Sequence, residues 1–208
     1  MKIRLAVEDD ISEAVLRRLI GELRRDCEID FAYPPHNRAA PRDLKSGWGY
    51  LRSNLAAFAK ASKIIPHIVL VDLDDSKCPL TKAQEWLSTI PKSPNLILRI
   101  AVTEVEAWLL ADFDGLMDYL HVPKQSSPKP SENIRFPKEA IICYAAKSRQ
   151  NDIRRDMCPT RRRLGAVGPG YQSLMRSFAR DIWDLKAASK NSISLHRAIG
   201  AILKFKKK

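Results

Sequence analysis

Apolar and polar positions alternate through residues 2–7 (KIRLAV), a pattern that predicts a strand. Behind it, Ser12 is placed to cap a helix, and Ala14, Val15, Leu16, Leu19, Ile20 and Leu23 recur at helical spacing, with Gly21 a weak point inside the pattern. Residues 27–33 (CEIDFAY) alternate again, and Pro34-Pro35 ends that strand. A polar loop runs to about Gly49, followed by a helix through Leu51, Leu55, Phe58 and Ala59. Residues 67–71 (HIVLV) form an unbroken apolar run, as expected of a central strand covered on both faces. Residues 79–90 read as a helix with proline near its first turn, residues 95–102 (NLILRIAV) as a fourth strand, and residues 103–111 as a helix. Strands alternating with helices in this order predict an α/β fold, a largely parallel sheet flanked by helices.

From about residue 122 the pattern changes. Pro123, Pro128, Pro130 and Pro137 punctuate a polar stretch, which reads as a linker or an ordered surface loop. Helical segments follow around residues 139–146, 171–184 and 194–205. The expected organisation is therefore an α/β domain over residues 1–121 and a mostly helical extension over residues 122–208, packed on it or beside it.

Charge sharpens that division. The chain has 208 residues and a net charge of +12, yet residues 1–121 hold 16 Lys/Arg against 18 Asp/Glu, while residues 122–208 hold 20 against 6. A basic half beside a slightly acidic one fits a phosphate-binding surface next to a cation site, or, more plainly, a basic solubilising tail. A 45% hydrophobic and 29% charged composition is that of a soluble globular protein, and no apolar run is long enough to span a bilayer. The first ten residues do not have the form of a signal peptide. Cys27, Cys78, Cys143 and Cys158 lie far apart without CxxC spacing, so reduced thiols and a cytoplasmic setting are expected rather than zinc or disulfides. His36, His67, His121 and His196 are dispersed, and none is expected to be a metal ligand.

Three acidic groups follow predicted strands: Glu8-Asp9-Asp10 with Glu13, then Asp72-Leu73-Asp74-Asp75, then Glu104 and Glu106 with Asp112 further on. Ligands of open α/β sheets bind outside the carboxyl ends of the strands, where these acids would gather. Converging carboxylates repel one another unless a cation intervenes, and oxygen-only donors suit Mg²⁺ or Mn²⁺. Acids after a strand also cap the following helix, and that reading competes for Asp9, Asp10, Glu13, Glu104 and Glu106. It competes least for Asp72 and Asp74, whose side chains point the same way from an extended segment.

A strand ending on Glu8, a DxD (Asp72, Asp74) after a hydrophobic strand, and an acidic helix after the next strand resemble the Toprim domain over roughly residues 1–120. Topoisomerases, bacterial primases and overcoming-lysogenization-defect (OLD) nucleases share that domain. The string VTEVEAWLLAD is similar to one in a bacterial Toprim-like family. Such families are often encoded in mobile or phage-defence settings, some beside an ABC/SMC-type ATPase. The resemblance implies a metal-dependent nuclease acting on DNA or RNA. Glu8, Asp72, Asp74 and Glu106 would be catalytic, and together with Glu104 and Asp75 would hold Mg²⁺ or Mn²⁺. Many Toprim domains have glycine after the first glutamate, where this chain has Asp9.

The basic half offers Lys129, Lys147 and Arg161-Arg162-Arg163, the last running into a glycine-rich loop at Gly168, Gly170 and Tyr171. The expectation is a nucleic-acid surface on which the glycines approach phosphate and Tyr171 stacks on a base or sugar; the alternative is an ordinary loop before a helix. A non-catalytic nucleic-acid-binding or regulatory subunit is the competing function.

Overall fold

A computed structural model describes residues 1–31, 47–76, 78–127, 130–161 and 165–204. Four parallel strands, β1 (Lys2–Ala6), β2 (Glu28–Phe31), β3 (His67–Asp72) and β4 (Leu96–Ala101), form one sheet in the order β2-β1-β3-β4. The order reverses direction at β1. The chain steps outward from β1 to β2, then crosses back to β3 and β4 on the other side, so the topological switch point falls between the carboxyl ends of β1 and β3.

The period of two along the strands divides the core. Ile3, Leu5, Val7, Ile68, Leu70 and Ile97 face α1 (Asp10–Leu23) and α4 (Val105–Leu110), and the apolar residues of α1, among them Val15, Leu16 and Leu19, are fully buried. Ala6, Val69, Val71 and Leu98 face the opposite way, against Leu51, Leu55 and Phe58 of α2 (Gly47–Ala61) and Trp86 of α3 (Pro79–Leu87). Covered on both sides, β3 carries apolar residues on both faces from Ile68 to Val71, which explains the IVLV run that follows His67. Asp9, not Ser12, caps α1: its Oδ1 accepts from the Ser12 amide at 2.8 Å, and Ser12 itself is buried.

After α5 (Phe113–Tyr119), the later chain forms α6 (Pro137–Ala145), α7 (Asn151–Met157), α8 (Tyr171–Ser177), α9 (Leu185–Asn191) and α10 (Ile193–Lys204). Met175, Phe178, Trp183, Leu195 and Ile202 enter the same core as α1 and α4. The boundary near residue 121 thus divides charge but not the hydrophobic core. The proline-rich stretch is tied down: Glu132 accepts from the Ser192 hydroxyl and the Ser194 amide, both at 2.6 Å, and Ser131 donates to the Asn191 carbonyl at 3.3 Å. The single helix expected over residues 171–184 gives way after Ser177 to a π-helical turn, Phe178–Ile182, closed by the Trp183 amide on the Phe178 carbonyl at 2.9 Å. All four cysteines are free. No described helix is long and apolar enough to cross a membrane.

The glycine-rich loop corrects an expectation. Gly168 and Gly170 do not present their backbone to a ligand. Their amides donate to the Met157 and Asp156 carbonyls at 3.0 and 2.8 Å, and a Cβ on Gly168 would lie 2.3 Å from the Asp156 carbonyl oxygen. Both glycines are needed because the loop lies directly against the end of α7. Gly168→Ala is therefore expected to cost about 1–3 kcal/mol in urea unfolding. Gly49→Ala, where an added methyl meets nothing within 4 Å, should instead gain on the order of 0.5 kcal/mol. Equal midpoints for the two variants would contradict this packing.

Candidate functional site

Because β1, β3 and β4 are neighbours, the acids that follow them meet. Glu8 Oε1 accepts from the Asp72 amide at 3.0 Å, and Asp72 Oδ1 accepts from the Val105 amide at 2.8 Å. The ends of three strands are thereby joined through carboxylate–amide bonds. The Leu73 and Asp74 amides both reach the Thr103 carbonyl at 3.0 Å, holding the loop after β3 against the loop after β4.

Two further acids take different positions. Glu106, in the first turn of α4, is 1% exposed; the Tyr171 hydroxyl donates to its Oε1 at 3.1 Å, and Lys138 Nζ lies 3.7 Å from the same oxygen. Asp74 is exposed and turns toward Lys82, whose Nζ lies 3.4 Å from its Oδ2. Lys82 is only 9% exposed, and the same ammonium donates to the Asp72 and Leu73 carbonyls at 2.5 and 3.1 Å. Beside the cluster opens a cleft of about 490 Å³, lined by Asp74, Asp75, Thr103 and Glu104 from the loops after β3 and β4 and by Arg135, Phe136, Glu139 and Gly165 from the later chain.

The electrostatics follow from burial and crowding. Glu8 is pushed up to about 7, chiefly by burial; the Asp72 amide pulls it back, and the Asp74 and Asp9 charges add to the rise. Burial likewise pushes Glu106 up to about 7 against the opposing pull of Lys138. Asp72 retains some solvent exposure, yet protein surrounds its carboxyl on most sides, so burial and then the charges of Glu106, Glu8, Asp9 and Asp74 hold it well above the ordinary aspartate range. Glu104 is raised mainly by burial, and its Oε2 is a buried oxygen without a hydrogen-bond partner. Burial disfavours the charge of Lys138, but Glu106, Glu104, Asp72 and Asp9 outweigh it and leave its pKa above the usual lysine value.

Five carboxylates, Glu8, Asp72, Asp74, Glu104 and Glu106, thus share this region with two lysines. The oxygen-only donor set and the unpartnered Glu104 oxygen fit a hard divalent cation. Among the described residues no three His, Cys, Asp or Glu side chains already stand as a closed ligand set. The geometry accounts for this, since Asp74 is drawn to Lys82 and Glu106 to Tyr171 and Lys138.

The expected basic surface fares differently. Tyr171 does not stack on a ligand: it is 0% exposed, and its hydroxyl is used on Glu106. Its ring belongs to the core because α8 packs against α1. Lys147 donates to Gln125 Oε1 at 3.3 Å and stands 5.7 Å from the Tyr144 ring centre, whereas Arg161 is exposed. Lys129, Arg162 and Arg163 lie outside the described residues.

Sequence reasoning missed Lys82 and Lys138. For Lys82 a signal existed, since it precedes the buried Trp86 by one helical turn and so shares its inward face. For Lys138 there was none, because only the fold brings α6 to α4. No family model matches the chain, and no curated protein and no solved structure matches it either.

The raised carboxyls have a measurable consequence. Between the ordinary glutamate value of 4.5 and about 7, Glu106 binds more protons folded than unfolded, so its contribution to stability falls as pH rises through that window. Without divalent cations, Glu106→Gln should gain stability relative to wild type on going from pH 5 to pH 8, by on the order of 1–3 kcal/mol in urea midpoints. An unchanged difference between the two pH values would show that Glu106 is not held against ionisation.

Proposed function

We propose that this chain is a cytoplasmic Mg²⁺- or Mn²⁺-dependent nuclease of Toprim type that hydrolyses phosphodiester bonds in DNA or RNA. We further infer that it is the effector of a phage-defence module with an ABC/SMC-type ATPase partner. The observation that carries the reading is that Glu8 and Asp72, just after or at the ends of adjacent parallel strands, gather with Glu106 in the first turn of α4, all partly or wholly buried, with the charges of Glu8 and Glu106 both acting against that of Asp72. Such a cluster is costly to fold unless a cation is wanted there.

Glu8, Asp72, Asp74 and Glu106 would hold the metal, with Glu104 and Asp75 at the margin. A bound divalent ion supplies Lewis-acid stabilisation of the phosphoryl charge. The protein's own groups do the rest. In hydrolysis a water loses a proton as its oxygen bonds to phosphorus, and the departing sugar oxygen gains one. Glu8, whose orientation the Asp72 amide fixes, would take part in one of these transfers. Lys82 braces the end of β3 through the Asp72 and Leu73 carbonyls. Lys138 supplies positive charge beside Glu106.

The competing reading is a non-catalytic nucleic-acid-binding or regulatory subunit. It is favoured by Lys82 and Lys138, which already neutralise part of the acid cluster from within. Cleavage assays decide between them. Wild type should cleave polynucleotide only with Mg²⁺ or Mn²⁺. Asp72→Asn, which keeps an acceptor for the Val105 amide, and Asp74→Ala should each lose activity while retaining the wild-type circular dichroism spectrum. Full activity in both variants would remove these acids from the mechanism; binding without cleavage in wild type would favour the second reading.

The basic half generates a separate expectation. Binding to polynucleotide in EDTA should weaken steeply with salt, by roughly a thousandfold between 50 and 200 mM for about six phosphate contacts. Replacing Arg161, Arg162 and Arg163 together by Ala should flatten that slope. Salt-independent binding would assign the basic half to a protein partner instead.

A further inference from the structure

One wall of the cleft has no part in the chemistry above. Phe136 is 41% exposed and lines the cleft beside Arg135. The Arg135 guanidinium carbon stands 5.0 Å from the centre of the Phe136 ring. Among the described residues Arg135 has no carboxylate partner, although four acids line the same cleft. An exposed phenylalanine alone means little. This one is fixed from both sides. The Ile134 carbonyl accepts from the Thr103 hydroxyl at 3.2 Å, Pro137 is buried at the start of α6, and Lys138 is held at Glu106. Glu139 accepts from the Gly165 amide at 3.1 Å. The backbone around residues 135 and 136 is thus clamped to the acid cluster, while two flat side chains are left facing solvent.

We propose that Arg135 and Phe136 form a base-stacking subsite that holds one nucleobase of a single-stranded nucleic acid beside the acids. The proposal rests on nucleic acid being the substrate. A single strand is required because the bases of a duplex already stack on each other and cannot offer a face to the ring. The cleft, about 490 Å³, is of the size that accepts a small ligand. Without a metal, Asp74, Asp75, Glu104 and Glu139 in its lining repel phosphate, so in EDTA the base enters and the backbone stays at the rim. The carboxylates accept hydrogen bonds from amino groups on a base edge. The guanidinium over Phe136 is a planar group in the place a base takes. With the base seated, it turns to the adjacent phosphate, the anion it lacks.

The two residues therefore contribute separable effects. The test is binding of a short single-stranded oligonucleotide carrying 2-aminopurine, in EDTA so that no metal-dependent cleavage occurs. Wild type should quench the fluorophore. Phe136→Ala and Phe136→Leu, the second keeping apolar bulk without a ring, should each lose the quenching and weaken binding about tenfold. Phe136→Trp should restore both. Arg135→Ala should lower the salt slope by about one counterion. Duplex binding should be unchanged in all four variants. Wild-type affinity in the Ala and Leu variants overturns the subsite, as does an equal loss of affinity for a strand with every base removed. If wild type quenches but never cleaves with Mn²⁺, the subsite stands and the nuclease reading falls. If it cleaves, and the Phe136 variants bind and cleave like it, the nuclease reading stands and the subsite falls.

Discussion

Asp72, through its backbone amide and its carboxyl group together, joins what the sheet alone leaves apart. Its own amide is bound by Glu8 from the neighbouring strand, and its Oδ1 receives the Val105 amide at the start of α4. Through these bonds the loops after β1, β3 and β4 are fixed relative to one another in a way that strand pairing, which ends at Asp72 and Ala101, does not provide. The start of α4, and with it the position of Glu106, follow from that side chain, while the backbone amide of the same residue orients Glu8. A carboxyl oxygen suits this because it accepts one of the backbone amides that the first turn of a helix leaves without an internal partner.

The same arrangement creates the main electrostatic cost of the fold. Acids drawn together by backbone bonds repel one another, and burial removes the water that would screen them. The protein answers with groups from outside the sheet. Lys82 comes from α3 on one face, while Lys138 and Tyr171 come from α6 and α8 on the other side of the chain's charge boundary. Each is partly or wholly buried, which strengthens the interaction and fixes the group in place. The compensation is incomplete, with two ammonium groups for five carboxylates.

What the sequence disclosed follows from the range of the forces concerned. Strand and helix periodicity is local, so all four strands and the helices beside them were legible, as were the acids at the strand ends. Asp9 was anticipated as a capping residue, but Ser12 was preferred as the cap of α1, because either residue satisfies the local rule. The seven-residue helices Phe113–Tyr119, Asn151–Met157 and Leu185–Asn191 were missed, since two turns give too few positions for a period to show. The role of Tyr171 was inverted. A glycine-rich basic stretch ending in tyrosine has the composition of a ligand loop, but long-range packing buries the ring and turns the glycines against α7. Partnerships such as Lys138 with Glu106 join residues 32 positions apart and leave no trace in local pattern.

The single core shared by both halves of the chain bears on how the molecule is made. Synthesis delivers the acid-rich sheet first, and the groups that neutralise Glu106 emerge only with α6 and α8. Until then the nascent strand ends hold their negative charge without these partners, and the apolar side of α1 lacks its cover from α8 and α10. The N-terminal portion is therefore a poor unit for excision or for grafting onto another protein. Evolutionary exchange of the two halves would have to carry the buried tyrosine and lysine along with the carboxylate they serve.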